Sequence, residues 1–292
     1  MTAISSFALT SIPFICPLDG LPLALNGLTF TCAKLHSFDV SAAGYVNLLP
    51  VQFKASRDPG DSKSMVAARR RVLDAGPFDP LAEAVCSVVW QRAQERADEK
   101  LLLIDAGCGD GFYTARFAAL LRSALPNAQT LVLGIDISKW AVMAAAKRYK
   151  ELGWAVASNK RLPVPQGAVS LITSLFGFAT WPDWANVQTP GQEVIVVDAG
   201  MRHLIELKEI IYPTLRLYDP PAHEEAFSSN YTQVKEDRIS YQRAMPGPDL
   251  LSDLLEMTPH GHKSTFAARE TVRALSCLNL SFDVVIRVFR HN

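Results

Sequence analysis

The chain has 292 residues, carries 29 Lys and Arg against 29 Asp and Glu, and is about half hydrophobic. That length and mix support a sizeable core and give no sign of disorder, while a formal charge of zero excludes capture of nucleic acid by overall charge and leaves only a local patch for it. No apolar run approaches the roughly 18 residues that a membrane-spanning helix needs.

The amino terminus, MTAISSFALTSIPFICPLDG, has no Lys or Arg ahead of its apolar part and is interrupted by Pro13 and Pro17, so it reads as neither a signal peptide nor an anchor. From Cys16 to His36 the chain combines a C-P-L-x-G-L knuckle, an Asn26-Gly27 turn, a short strand LTFTC and a Cys followed four residues on by His. The pattern resembles a small zinc ribbon, with Cys16, Asp19, Cys32 and His36 as candidate ligands. Thiolates dominate structural zinc sites, so Asp19 leaves two readings open: a metal site with an unusual ligand, or a hairpin that kept the shape and lost the ion. Five cysteines, an odd number widely spread in a chain with no export signal, fit reduced thiols in the cytoplasm.

Lys34 to Arg71 is the most basic region, with seven Lys or Arg against three Asp or Glu. Within it Ser56 to Ser62 reads as a loop rich in Pro, Gly and Asp, and Lys63 to Ala75 has helical spacing. Arg69, Arg70 and Arg71 stand side by side there, either as a solvated helix face or as contacts to RNA phosphates.

LLLIDAGCGDGFYT, Leu101 to Thr114, reads as strand, glycine loop and helix start. A dinucleotide fingerprint counted from Gly107 needs a third glycine where this chain has Phe112, so that reading fails. Glycines at 107, 109 and 111 behind an acid instead resemble the first motif of S-adenosylmethionine-dependent methyltransferases. The next strand, TLVLGIDIS, ends in Asp136, where an α/β cofactor fold places its acceptor for a ribose diol; the alternative is a cap for the helix that Ser138 opens. GWAVASN gives a third strand ending at Ser158 and Asn159, suited to the adenine edge, AVSLITSLF a fourth, and EVIVVDAG a fifth, with Arg202, His203 and Glu206 in the helix-forming run that follows. A strand around Arg238 to Gln242 and a closing, half-buried strand from Leu280 to Arg290 complete an α/β pattern.

C-P-L, C-x-x-x-H-S-F-D, G-Y-V-N-L-L-P-V-Q, S-R-D-P-G-D-S, M-V-A-A-R-R-R-V-L-D-A-G and D-A-G-C-G-D-G-F-Y recur in order, then AAAKRY at 144–149, ASNKRLPVP at 157–165, RHLIELKEIIY at 202–212 and MTP at 257–259. Together they resemble the 23S ribosomal RNA (guanine-N1-)-methyltransferase family over nearly the whole chain. The resemblance implies a doubly wound, Rossmann-like class I methyltransferase sheet with a small amino-terminal zinc-ribbon-like β module. It implies methyl transfer from S-adenosylmethionine to N1 of a guanine in a 23S rRNA hairpin, in the cytoplasm and by a homodimer. The expected organisation is an RNA-recognition module at 1–50, a basic loop and helix at 51–80, and the methyltransferase domain at 81–292.

Phe78, Asp105, Gly107, Gly109, Asp110, Gly111, Asp136, Ser158 and His203 are the expected cofactor contacts, and Arg69, Arg70 and Arg71 the expected RNA contacts. The family's metal site of three Cys and one His is matched by Cys16, Cys32 and His36, with Asp19 where the remaining Cys belongs. Thr173 to Gly191 departs from the family's strand-four ending, which alters the substrate side of the pocket. Two other functions fit less of the sequence: a non-catalytic RNA-binding or ribosome-assembly factor that retains the fold, and a small-molecule methyltransferase.

Overall fold

Leu101 to Ala106 are each at most 3% exposed, as a central strand covered on both faces requires. The computed structural model that places them describes residues 9–96, 100–126 and 129–292, without the side chains of His262 and Lys263. Residues 1–8, part of the stretch read as neither leader nor anchor, lie outside the described residues.

β1 (Ala24–Asn26), β2 (Thr29–Thr31) and β3 (Ser37–Asp39) form a small antiparallel sheet, followed by β4 (Val46–Asn47), α1 (Lys63–Asp74) and α2 (Asp79–Gln94). Alternation then sets in: β5 (Leu101–Ala106), α3 (Phe112–Ala124), β6 (Thr130–Asp136), α4 (Lys139–Arg148), β7 (Gly153–Val156), β8 (Leu171–Leu175), α5 (Trp181–Val187), β9 (Glu193–Ala199) and α6 (Ile205–Ile211). The chain closes with α7 (Glu224–Ser228), β10 (Tyr231–Pro246), α8 (Asp249–Met257), α9 (Pro259–Lys263), α10 (Phe266–Ala274) and β11 (Cys277–His291).

Among the described residues the large sheet runs β10-β11-β9-β8-β5-β6-β7-β4, parallel from β9 to β4, with β11 antiparallel to both neighbours. Strand order reverses at β5, which has β6 on one side and β8 on the other. In an open α/β sheet that is where a crevice opens beyond the carboxyl ends of the strands, here at the glycine loop.

Three differences from the sequence reading have physical causes. Val46 and Asn47, expected in the amino-terminal module, pair with Ala155 and Val156 and so extend the large sheet. α1, expected in a linker, buries Val66, Ala68, Val72 and Leu73 and belongs to the main core. The last strand is buried through its middle rather than half-buried: Phe282, Val284 and Ile286 enter one core cluster, while Asp283 is offset by Arg238 at 2.7 Å.

Each face of the sheet has its own core. Helices α1 to α4, α6, α8 and α10 cover one, and residues from Leu9 to Phe14, the ribbon's Phe30 and helices α5 and α7 cover the other. The third glycine of the loop also belongs to this packing. A Cβ on Gly111 would meet the Trp154 ring at 2.6 Å, and one on Gly134 would overlap the same ring, whose N–H donates to the Tyr149 carbonyl at 2.9 Å.

Candidate cofactor pocket and metal centre

Asp105 is the penultimate residue of β5, directly beneath the glycine loop. Its buried carboxylate accepts from the Thr114 hydroxyl on α3 and from the Thr173 hydroxyl on β8, the latter at 2.9 Å. It therefore fixes the loop from below instead of facing a ligand. Above it Gly109, at φ 56, turns its N–H to Asp136 Oδ2 at 2.9 Å, and Asp136 Oδ1 accepts from Ser138 N at 2.8 Å. Burial pushes the Asp136 carboxyl up and these two amides draw it down. Ser138 also caps α4, accepting from Ala141 N, so cap and candidate ribose acceptor are separate residues.

A strap from the basic region closes over this corner. Trp140 Nε1 donates to Asp58 Oδ2 at 2.7 Å, Ser138 Oγ donates to the Asp61 carbonyl at 2.7 Å, and a Cβ on Gly60 would meet Ile137 and Ser138 at 2.9 Å. Asp61 forms an ion pair with Arg69, which also donates to the Met257 carbonyl at 3.3 Å. Arg69 Nη1 stands 3.5 Å from where a Gly109 Cβ would be.

The three arginines do not form one phosphate-binding face. Successive helical residues turn by about 100°, so they fan apart. Arg69 turns to the loop; Arg70 reaches Asp110 at 3.6 Å and the Ala144 carbonyl at 3.1 Å; Arg71 holds Asp253 by two bonds of 2.6 Å. The same geometry corrects Asp110, which is buried against Arg70 and Arg148 on the helix side of the loop and not turned to a ligand.

Phe78 lies buried edge-on to Phe282 at 5.0 Å, in a row that continues to Tyr241. His203, 7% exposed, precedes α6 instead of lying within it, and sits between Phe176 at 5.5 Å and Phe282 at 5.9 Å. Its burial lowers the imidazole to about 4, so the ring is neutral. Ser158 caps the short turn after β7 by accepting from Lys160 N, and Asn159 Nδ2 approaches the Gly107 Cβ position at 3.9 Å. Sequence reading missed Asp61, Tyr113, Thr114, Thr173 and Ser174; Asp61, Tyr113 and Thr114 had a local signal, the first in the S-R-D-P-G-D-S loop and the other two at the end of the glycine motif.

A polar ligand at this end of the sheet has groups to satisfy. Tyr113 Oη, Ser174 Oγ and His203 Nδ1 are buried and have no hydrogen-bond partner among the described residues, and buried polar atoms seldom stay unpaired. Together with the bare backbone of Gly107 and Gly109 and the carboxylate of Asp136, they fit a zwitterionic nucleoside such as S-adenosylmethionine. At the rim, Phe176 takes a positive φ of 54° and Phe178 is 91% exposed.

Across the molecule, Cys16, Asp19, Cys32 and His36 bring one ligand atom each to within 4.8 Å of one another. His36 Nδ1 is 3.5 Å from both sulfurs, Asp19 Oδ2 is 3.3 Å from Cys32 Sγ, and the Asp19 oxygen and His36 nitrogen are 3.0 Å apart. Zinc bonds of about 2.3 Å to sulfur and about 2.0 Å to nitrogen or oxygen, set tetrahedrally, give sulfur–nitrogen edges of about 3.5 Å. The donor set fits zinc. The Leu21 N–H, first among its neighbours, holds the Asp19 carboxyl down at about 2, so it carries the charge that a thiolate would.

The family model described as RlmA, N-terminal, a zinc ribbon, matches residues 14–57, and a methyltransferase-domain model matches residues 103–195. A Bacillus subtilis protein assigned as a 23S rRNA (guanine-N(1)-)-methyltransferase is 27% identical over 280 residues, spanning 94% of this chain and 96% of its own length. A Micromonospora griseorubida protein with the same assignment is 33% identical over 209 residues, 66% of this chain and 67% of its own. The 23S rRNA (guanine(748)-N(1))-methyltransferase of Streptomyces fradiae is 33% identical over 197 residues, 67% of this chain and 66% of its own.

Burial raises the Asp105 carboxyl to about 6, so folding takes up a proton there. The stability this group lends is complete below its unfolded value near 4 and is lost as pH rises through about 6. Asp105→Asn should therefore gain on the parent chain by up to about 3 kcal/mol across that window. Urea unfolding at several pH values checks this, and a pH-independent difference contradicts it.

Proposed function

From the premise that the chain belongs to the 23S rRNA (guanine-N1-)-methyltransferase family, we propose that it moves the methyl group of S-adenosylmethionine to N1 of a guanine in a hairpin loop of 23S rRNA. The observation that carries this reading is the corner where Gly109 and Ser138 both donate to Asp136 at the sheet's switch point. That carboxylate stands at the strand end where such folds place a nucleoside ribose.

When bound, the methyl donor supplies an electrophilic methyl on a sulfonium, and the protein's task is chiefly alignment. Asp136 would take the ribose hydroxyls, Ser158 and Asn159 would border the adenine, and Phe78 and His203 would shape the methyl-bearing end. Guanine N1 lies on the Watson–Crick edge, so the base must be unpaired or extruded to be reached. Phe178 offers the π-face on which an extruded base stacks. Of the carboxylates near strand ends, Asp198 is enclosed by His223 at 2.7 Å and Arg287 at 3.3 Å and is unfit to receive the N1 proton.

Zinc held by Cys16, Asp19, Cys32 and His36 would brace the ribbon as an RNA-recognition element. A reducing cytoplasm keeps Cys16 and Cys32 available as thiolates, and all five cysteines are free in the structure. With Arg69 to Arg71 engaged internally, the phosphate contacts fall to Lys34, Lys54 and Arg57, on the ribbon and on the loop whose Phe53 carries the Arg161 guanidinium at 4.2 Å. A homodimer is part of the same proposal, and light scattering of the pure protein checks it.

Labelled methyl from S-adenosylmethionine should appear in unmodified 23S rRNA as 1-methylguanine by mass spectrometry, and Asp136→Ala should cut the rate at least about tenfold. Bound donor without any 1-methylguanine would favour an RNA-binding or ribosome-assembly factor. For the ribbon, metal analysis should return one zinc per chain, lost in Cys32→Ser and held more tightly in Asp19→Cys. A metal-free parent that folds unchanged refutes this assignment.

A further inference from the structure

The donor brings a carboxylate into a crevice already lined with acids. Asp105 and Asp136 both stand at the glycine loop and Asp61 adds a third carboxylate close to Asp136. A negatively charged group entering there needs a cation. Most neighbouring arginines are committed elsewhere: Arg70 and Arg148 to Asp110 and Asp74, and Arg116 to Asp79 at 3.0 Å while lying over the Phe112 ring. Arg69 differs, because its guanidinium lies against the backbone of Gly109, 3.5 Å from the position a Cβ would take.

Resting on the methyl-donor reading, we propose that Arg69 receives the carboxylate at the amino-acid end of the donor, and that Asp61 fills that position until the donor arrives. The Arg69 fork suits a planar carboxylate and is already paired with one, that of Asp61. The Met257 carbonyl, accepting from Nη2 at 3.3 Å, holds the fork toward the loop whether or not Asp61 stays. A second unpaired group lies on the helix that the loop opens: Tyr113 Oη is buried and has no hydrogen-bond partner among the described residues.

The exchange also gives the strap a role. Asp61 is fixed through its own carbonyl to Ser138, the residue whose amide holds Asp136. The row of arginines that reads as an RNA patch in the sequence thus contributes one residue to the cofactor.

Calorimetry with two ligands tests this. S-adenosylhomocysteine carries the amino-acid carboxylate, and 5′-deoxy-5′-methylthioadenosine shares the nucleoside but lacks it. Arg69→Gln should weaken the first by at least about tenfold and leave the second within about twofold; Arg69→Lys should fall between for the first ligand. Asp61→Asn, which removes the competing carboxylate, should hold or tighten S-adenosylhomocysteine. Equal losses for both ligands would assign Arg69 a structural role and overturn the proposal. So would unchanged affinity for both, and with weaker, less salt-dependent hairpin binding that result would return Arg69 to the RNA. A parent chain that binds neither ligand removes the methyl-donor reading itself.

Discussion

A single buried carboxylate, Asp105, accepts from a hydroxyl on the helix that follows the glycine loop and from another on the neighbouring strand. Three elements are tied at one point: β5, the next helix α3 through Thr114, and the distant β8 through Thr173. Keeping a carboxyl out of water is costly, and only a full set of donors makes it tolerable. The geometry above depends on that knot. With β5 and α3 locked, Gly107 and Cys108 can both donate to the Ile135 carbonyl, at 2.8 and 3.0 Å, and Gly109 is left to meet Asp136.

From there charge balance organises the surroundings. The chain is neutral overall, and of the four acids around the loop Asp61 and Asp110 are offset by Arg69 and Arg70 from the segment before β5, while Asp105 is met by hydroxyls and Asp136 by backbone amides. In that segment α1 packs on α8, and the strap before it seats on the start of α4. The closing wall of the crevice comes from residues that precede the doubly wound core, so the basic region and the core form one unit around the crevice.

Much of this was legible in the sequence. Alternating apolar runs ending in Asp105 and Asp136 marked the strands, the spacing of Gly107, Gly109 and Gly111 marked the loop, and Ser138 caps its helix as expected. The Cys, Asp, Cys, His spacing foretold four side chains that the fold does bring together. Partners set by tertiary packing were not legible. Arg71 finds Asp253 across 182 residues, Thr173 finds Asp105 across 68, and a row of three arginines on a helix cannot tell from its own residues which member faces a loop. Asp110 was misread for the same reason, since its neighbours in sequence are the loop and its neighbours in space are arginines. Gly134 carried no local signal at all; its role appears only once Trp154 is beside it.

The central claim is that the crevice over Gly107 to Gly111 is a nucleoside site anchored on Asp136. A crystal structure of the protein with S-adenosylhomocysteine tests it most directly. The account predicts both ribose hydroxyls within hydrogen-bonding distance of the Asp136 carboxylate, with the adenine beside Ser158 and Asn159. Ligand density elsewhere on the molecule, or a ribose turned away from Asp136, would contradict it.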